Sequence, residues 1–205
     1  MSLVDAVTNL AQAIGLDVKR LRRQSGCNYG GVIPGVYYDN SWLGAASATL
    51  SAGSGLLAVV PFMSPVALTI DRMGIVVTTL ATGGTADMHI YECLEDGWPG
   101  SKLLSTSAVN TASTGIKEAT VNFTFEAGKT YWLGIRASVA VSVRGVALTS
   151  AKQFGMITAD GSGSSYATAL VQSSAMSVAA PASWGTVSLA QLSAVVPPSF
   201  RLRAA

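Results

Sequence analysis

Charge is scarce in this chain. Only 12% of its 205 residues are Asp, Glu, Lys or Arg, against 49% hydrophobic, and a solitary domain seldom covers its surface with so few ionised groups. Part of that surface is therefore expected to lie against other copies or other subunits. Histidine occurs once, as His89, so any His-dependent triad or histidine-rich metal site must be built around that ring. It falls mid-strand between Met88 and Ile90, with Asp87 and Tyr91 on its face, where a structural role is the simpler reading. No P-loop, dinucleotide fingerprint or zinc-ligand spacing occurs. The expectation is no catalytic residue, no metal, no cofactor and no enzymatic activity.

Cysteine is nearly absent. Cys27 and Cys93 share no metal or redox spacing and are read as two separate buried thiols, with a disulfide between them left open. No run approaches the ~20 apolar residues needed to cross a bilayer. Met1–Asp5 lacks a basic segment followed by an apolar run, so synthesis in the cytoplasm without membrane insertion is expected. The net charge is +2, and its positive part is concentrated in Lys19, Arg20, Arg22 and Arg23. Beyond residue 24 nine Lys and Arg meet nine Asp and Glu, a neutral balance that argues against a nucleic-acid-binding face. The basic cluster reads as a solvated last helical turn favoured by the helix dipole.

Apolar alternation, in contrast, is abundant, and it organises the stretch Val66–Ala137. Val66–Thr79 is rich in β-branched residues and reads as one strand, or two joined by a kink at Gly74. Strands are expected over Met88–Leu94, around Leu103–Val109, over Ala119–Phe125 and over Thr130–Arg136. The turn Glu95–Gly100, with its Asp-Gly and Pro-Gly pairs, separates the first two of these. Period-two alternation gives antiparallel strands with one buried face. Val36–Trp42 reads as an edge strand or an ordered arm, and further strands are expected over Ala45–Leu50, Leu56–Met63, Val139–Leu148, Phe154–Ile157, Tyr166–Val171 and Ala194–Leu202, the last interrupted by Pro197-Pro198. Pro61 and Pro65 suit an edge or a strand end. Ser173–Ser183, rich in Ser and Ala, reads as a long loop over one end of the structure. The fold class is mostly β, a jelly-roll-like antiparallel sandwich over 36–205.

Ahead of it, Leu3, Val7, Leu10, Ile14 and Leu21 make an apolar stripe with Asp17 at the interrupted position, on a helix expected from Leu3 to Gln24. Ser2 is its candidate N-cap and Gly26 its stop. One reading packs this stripe on its own domain; the other makes it a short parallel coiled coil that gathers copies of the chain. The domain division is 1–25 for helical oligomerisation or attachment, 26–35 for a Gly-rich linker, and 36–205 for the sandwich.

Binding residues are sought among loop aromatics with nearby acids. Sugar rings stack apolar C–H faces on aromatic rings while carboxylates take their hydroxyls, which nominates Asp96 with Trp98, Asp160 with Tyr166, and Trp184. The competing reading folds Trp98 back to cap the sandwich. Glu92, Glu95 and Asp96 cluster at a strand end and turn, where solvated acids are ordinary, although glycoside hydrolysis would need two facing carboxylates.

The succession Val36-Tyr37-Tyr38, Leu57–Phe62, Thr69–Ile75, His89–Glu92 with Gly97–Gly100, Gly115–Glu118 and Gly128–Leu133 resembles β-sandwich domains of bacteriophage tail-fibre and minor structural proteins. The likeness covers residues 36–136 and the closing Pro198–Ala205, and it brings no functional residues with it. It implies a virion protein, homotrimeric, docked on other virion proteins through the N-terminal helix and touching a host surface glycan. A full fibre has a longer shaft, so the short helix points to a tip, adaptor or head-attached spike. The alternative is a capsid- or tail-decorating protein without receptor binding.

Overall fold

The computed structural model describes residues 31–40, 45–147, 169–186, 192–193 and 196–205, together with Val4, Asp5, Val7, Thr8, Asn9, Gln12, Ile14 and Gly15. Those eight are helical. The described helix thus lies within 4–15, the continuation expected to Gln24 is outside the described residues, and nothing in the fold supports a coiled coil. Leu3, Leu10 and Leu21, Cys27, and the strand expected over Phe154–Ile157 lie outside the described residues.

The strands form two antiparallel sheets. One contains β1 (Tyr37–Asp39), β2 (Ala45–Ala52), β4 (Leu68–Thr79), β8 (Gly115–Phe125), β10 (Val141–Ala147) and β13 (Arg201–Ala204). The other contains β3 (Leu56–Met63), β5 (Thr85–Cys93), β6 (Pro99–Ser105), β7 (Val109–Asn110), β9 (Thr130–Ala137), β11 (Ala169–Ser173) and β12 (Leu192–Ser193). β4 pairs with β8 along one side, while β10 and β13 share its other side end to end. The strand orders β2-β10-β4-β8 and β3-β9-β5-β6 therefore face each other, with the chain crossing between sheets at nearly every connection. This is the double-sheet wrapping of a jelly roll.

Alternation explains why these segments pair as they do. Ala58, Val60 and Phe62 of β3, Met88 and Ile90 of β5, and Leu133 and Ile135 of β9 point into the sandwich, where they meet Ile70, Met73 and Ile75 of β4, Val143 and Leu202. Along β4 the inward set runs Leu68, Ile70, then Met73, Ile75, Val77, a slip of one residue in the period. The pairing with β13 matches Arg72 to Arg203 and Ile70 to Ala204, so Asp71 is the unmatched residue of a bulge that absorbs the slip. Of the two readings of this stretch, the single strand is the one observed, running unbroken through Gly74. That glycine instead lets β8 approach, because a Cβ there would stand 2.8 Å from the Lys117 carbonyl oxygen.

Pro61 lies within β3, paired with Trp132 on one side; on the other the β11 register reaches only from Leu56 to Val59, so the strand is locally an edge at Pro61, and Pro65 follows its end at Met63. The strand expected around Leu103–Val109 is two, β6 and β7, separated at Thr106–Ala108. Phe125 anchors one end of the core, its ring 4.9 Å from Phe62 and Phe123 and 5.1 Å from Tyr131, all edge-on. Phe125→Ala should lower unfolding stability by about 3–5 kcal/mol. Ile116→Ala, on the exposed part of the same strand, should change it by no more than about 0.5 kcal/mol; urea denaturation measures both.

Candidate functional site

Across β3, β9 and β5 the outward face of the seven-stranded sheet is itself buried. Asp87, His89 and Tyr91 of β5 point outward, beside Trp132, Gly134 and Arg136 of β9 and Leu57 and Val59 of β3. Over them runs residues 174–186, a strap rather than the end-capping loop expected there. It starts with Ser174 N donating to Gly55 O (2.7 Å). It ends beside β6, with Lys102 N donating to Ala182 O (2.8 Å) and Trp184 N to Gly100 O (3.0 Å).

Beneath the strap lies a polar cluster centred on Asp87. Arg136 Nε donates to Asp87 Oδ1 (2.9 Å) and Nη2 to Oδ2 (2.7 Å). Arg136 Nη1 donates in turn to Ser174 Oγ (3.2 Å), Ala175 O (3.0 Å) and Val178 O (2.9 Å). One buried guanidinium thus ties sheet to strap, and its planar fork suits the carboxylate. His89 is fully buried, with Nε2 3.1 Å from Asp87 Oδ1 and Nδ1 2.9 Å from Ser105 Oγ. Burial works to raise the Asp87 pKa, but the hydrogen bonds from His89 and Arg136 outweigh it and bring it down to about 2.

An apolar layer adjoins this cluster. Leu57, Val59, Tyr91, Trp132, Leu170 and Trp184 pack together, with Cys93 and Trp98 against them. Tyr91 and Trp184 meet edge-on at 6.0 Å. Tyr91 donates its hydroxyl to Pro181 O (3.1 Å), and burial pushes its pKa up to about 12. Cys93 is a free, half-buried thiol, also pushed up by burial. The turn at 94–98 is joined to the layer by Trp132 Nε1, which donates to Gly97 O (3.2 Å). Asp96 Oδ1 accepts from Trp98 N (3.1 Å), closing an Asx turn with Gly97 at φ +87°.

The residues nominated from sequence are dispersed accordingly. Asp96 is exposed and Trp98 half-buried, adjacent in one turn. Trp184, in the strap itself, is turned onto the sheet and only 3% exposed, so its ring offers no open face. Asp160 and Tyr166 lie outside the described residues. Val7 and Ile14 of the helical stripe are exposed. Arg136 and Ser105 drew no attention in sequence, yet they complete the contacts of Asp87 and His89. The available signal was β9 itself: Tyr-Trp-Leu-Gly-Ile is apolar on both phases, the mark of a strand covered on both faces. Tyr131 and Trp132 are both buried, on opposite sides of the sheet. Among the described residues no group of His, Cys, Asp and Glu is arranged to hold a metal ion.

No family model matches the chain, and no curated protein does. Among solved structures it is similar to the VP2 subviral particle of infectious bursal disease virus, with 16% identity and a TM-score of 0.30. That similarity covers 53% of this chain and 31% of the VP2 chain.

Removing one partner of a buried ion pair leaves the other charge uncompensated. Arg136→Ala should therefore cost about 3–5 kcal/mol of unfolding stability, whereas the joint change Asp87→Leu with Arg136→Met should cost much less. The depressed Asp87 pKa contributes stability above the ordinary carboxylate range that is lost as pH falls from about 4 through about 2. Acid titration followed by tryptophan fluorescence should show this loss in the wild type and its absence in the double variant.

Proposed function

We propose that the chain is a structural protein of a bacteriophage virion, made in the host cytoplasm, gathered into a homotrimer by its N-terminal helix and acting in host attachment through its sandwich. The helix is the observation that carries this reading. Val4, Val7 and Ile14 are 72%, 58% and 54% exposed, and Val7 and Ile14 are one heptad apart on the stripe that the sequence continues through Leu3, Leu10 and Leu21. Aliphatic side chains left in water along one helical face are completed by the same face of further copies. The 12% charged composition supports the same assembly. Jelly rolls recur in viral capsid and lectin domains, a likeness of architecture that needs a site before it means function.

The attachment reading assigns glycan contact to the turn at 94–98, where the Asp96 carboxylate can take hydroxyls and the free part of Trp98 can stack on a ring face. Asp160 and Tyr166 are its second candidate pair, and other virion proteins would hold the helix. The burial of Trp184 favours the second reading, a capsid- or tail-decorating protein without receptor binding, because it withdraws one nominated aromatic from any ligand.

Light scattering of the full chain should give the mass of three copies, and removal of residues 1–24 should give one. A monomer in both cases would end the proposal for the helix. Saturable binding of purified protein to host cells, weakened at least tenfold by Asp96→Ala with Trp98→Ala, supports attachment; binding only to particles lacking the protein supports decoration.

A further inference from the structure

We propose that Ser105 is a nucleophile for acyl transfer, with His89 as its general base and Asp87 as the residue that positions the ring. This goes beyond the virion role and does not depend on it. The argument is one of proton placement. Asp87, clamped by Arg136 through both oxygens, is ionised and can only accept, so the hydrogen it shares with His89 resides on Nε2. In the neutral ring Nδ1 then carries the lone pair, and the group 2.9 Å from it is the Ser105 hydroxyl, which must donate. Serine, histidine and aspartate are thus linked with one direction of proton flow, the logic of a serine hydrolase triad with the ring turned over.

Exposure divides the roles correctly. His89 is shielded completely, while Ser105 is exposed at the end of the edge strand β6. The strap pairs with β6 at Gly100–Lys102 and leaves the stretch that ends in Ser105 uncovered, with Leu103 also exposed. Lys102, the only charged residue of β6, pairs with outward-facing Tyr91 as Ser105 pairs with outward-facing His89. Its ammonium donates to Ala180 O (2.8 Å) and ties β6 to the strap.

In the reaction Ser105 Oγ attacks the carbonyl carbon of a carboxylic ester as its proton passes to His89 Nδ1. The carbon–oxygen bond to the leaving group breaks, and that proton returns to the departing alkoxide. Water repeats the sequence on the acyl-serine, releasing the acid and restoring the hydroxyl. General-base assistance contributes about 10²–10⁴-fold, so the substrate class is esters whose leaving groups depart readily, such as aryl esters.

The full chain, incubated with a fluorophosphonate and mapped by peptide mass spectrometry, should carry one adduct, at Ser105. It should hydrolyse p-nitrophenyl acetate about 10²-fold or more faster than Ser105→Ala protein, whose thermal unfolding should match the wild type. The hydrolysis rate should fall on the acid side with a single ionisation, and Asp87→Asn should displace that limb and lower the rate. No adduct at Ser105, or hydrolysis unchanged in Ser105→Ala, would overturn the proposal. If Asp87→Asn does not fold, the wild type and Ser105→Ala decide the matter alone.

Discussion

Arg136 holds two surfaces together with one side chain. Two of its nitrogens close on Asp87 in the neighbouring strand, and the third reaches three oxygens of the strap. In a low-dielectric setting each unmade bond of a charged group is costly, so strap and sheet are defined relative to each other by this one guanidinium. The rest of the outer face follows from that arrangement. Once the strap lies across β9 and β5, Tyr91, Trp132 and Trp184 are buried against one another, and the tyrosine hydroxyl finds its acceptor at Pro181. The same carboxylate orients His89, so the placement of the imidazole is a secondary effect of how the layer is tied down.

The sandwich was readable because its driving force is written locally. Alternation over Leu56–Met63, Thr85–Cys93, Gly115–Phe125 and Thr130–Ala137 fixes which side chains meet between the sheets, and the turn residues at Asp96-Gly97 and Ala127-Gly128 fix where the chain reverses. The bulge at Asp71 shows in the sequence as a slip of the apolar alternation between Ile70 and Met73. The site was less legible. Arg136 and Asp87 are opposite each other only through a pairing 49 residues long in sequence, and nothing local in either strand announces it. Ser105 meets His89 across a register interrupted by two shifts, which defeats simple counting. The strap was read as having little to bury because its own residues are small; its role is to cover large side chains belonging to other strands.

Jelly-roll wrapping gathers the connections at two ends. At one, Ser54 donates to Ser138 O, Thr85 N to Ser138 Oγ, and Thr111 N to Gly84 O. At the other, Gly128 N donates to Ser64 O (2.7 Å). These cross-links make each end a small cooperative unit rather than a set of free loops.

Covering one sheet on its outside breaks the symmetry of a two-layer structure. The uncovered six-stranded sheet shows Asp71 paired with Arg203, Arg201 stacked 4.3 Å over Tyr37, and Tyr37 donating to Glu118 (3.0 Å). Its opposite number shows the uncharged strap, with Val178 exposed, and beside it the open end of β6 at Leu103 and Ser105. A neighbour approaching the unit thus meets ion pairs and a stacked ring on one flank and mostly uncharged groups on the other, so the two flanks cannot be exchanged as contact surfaces.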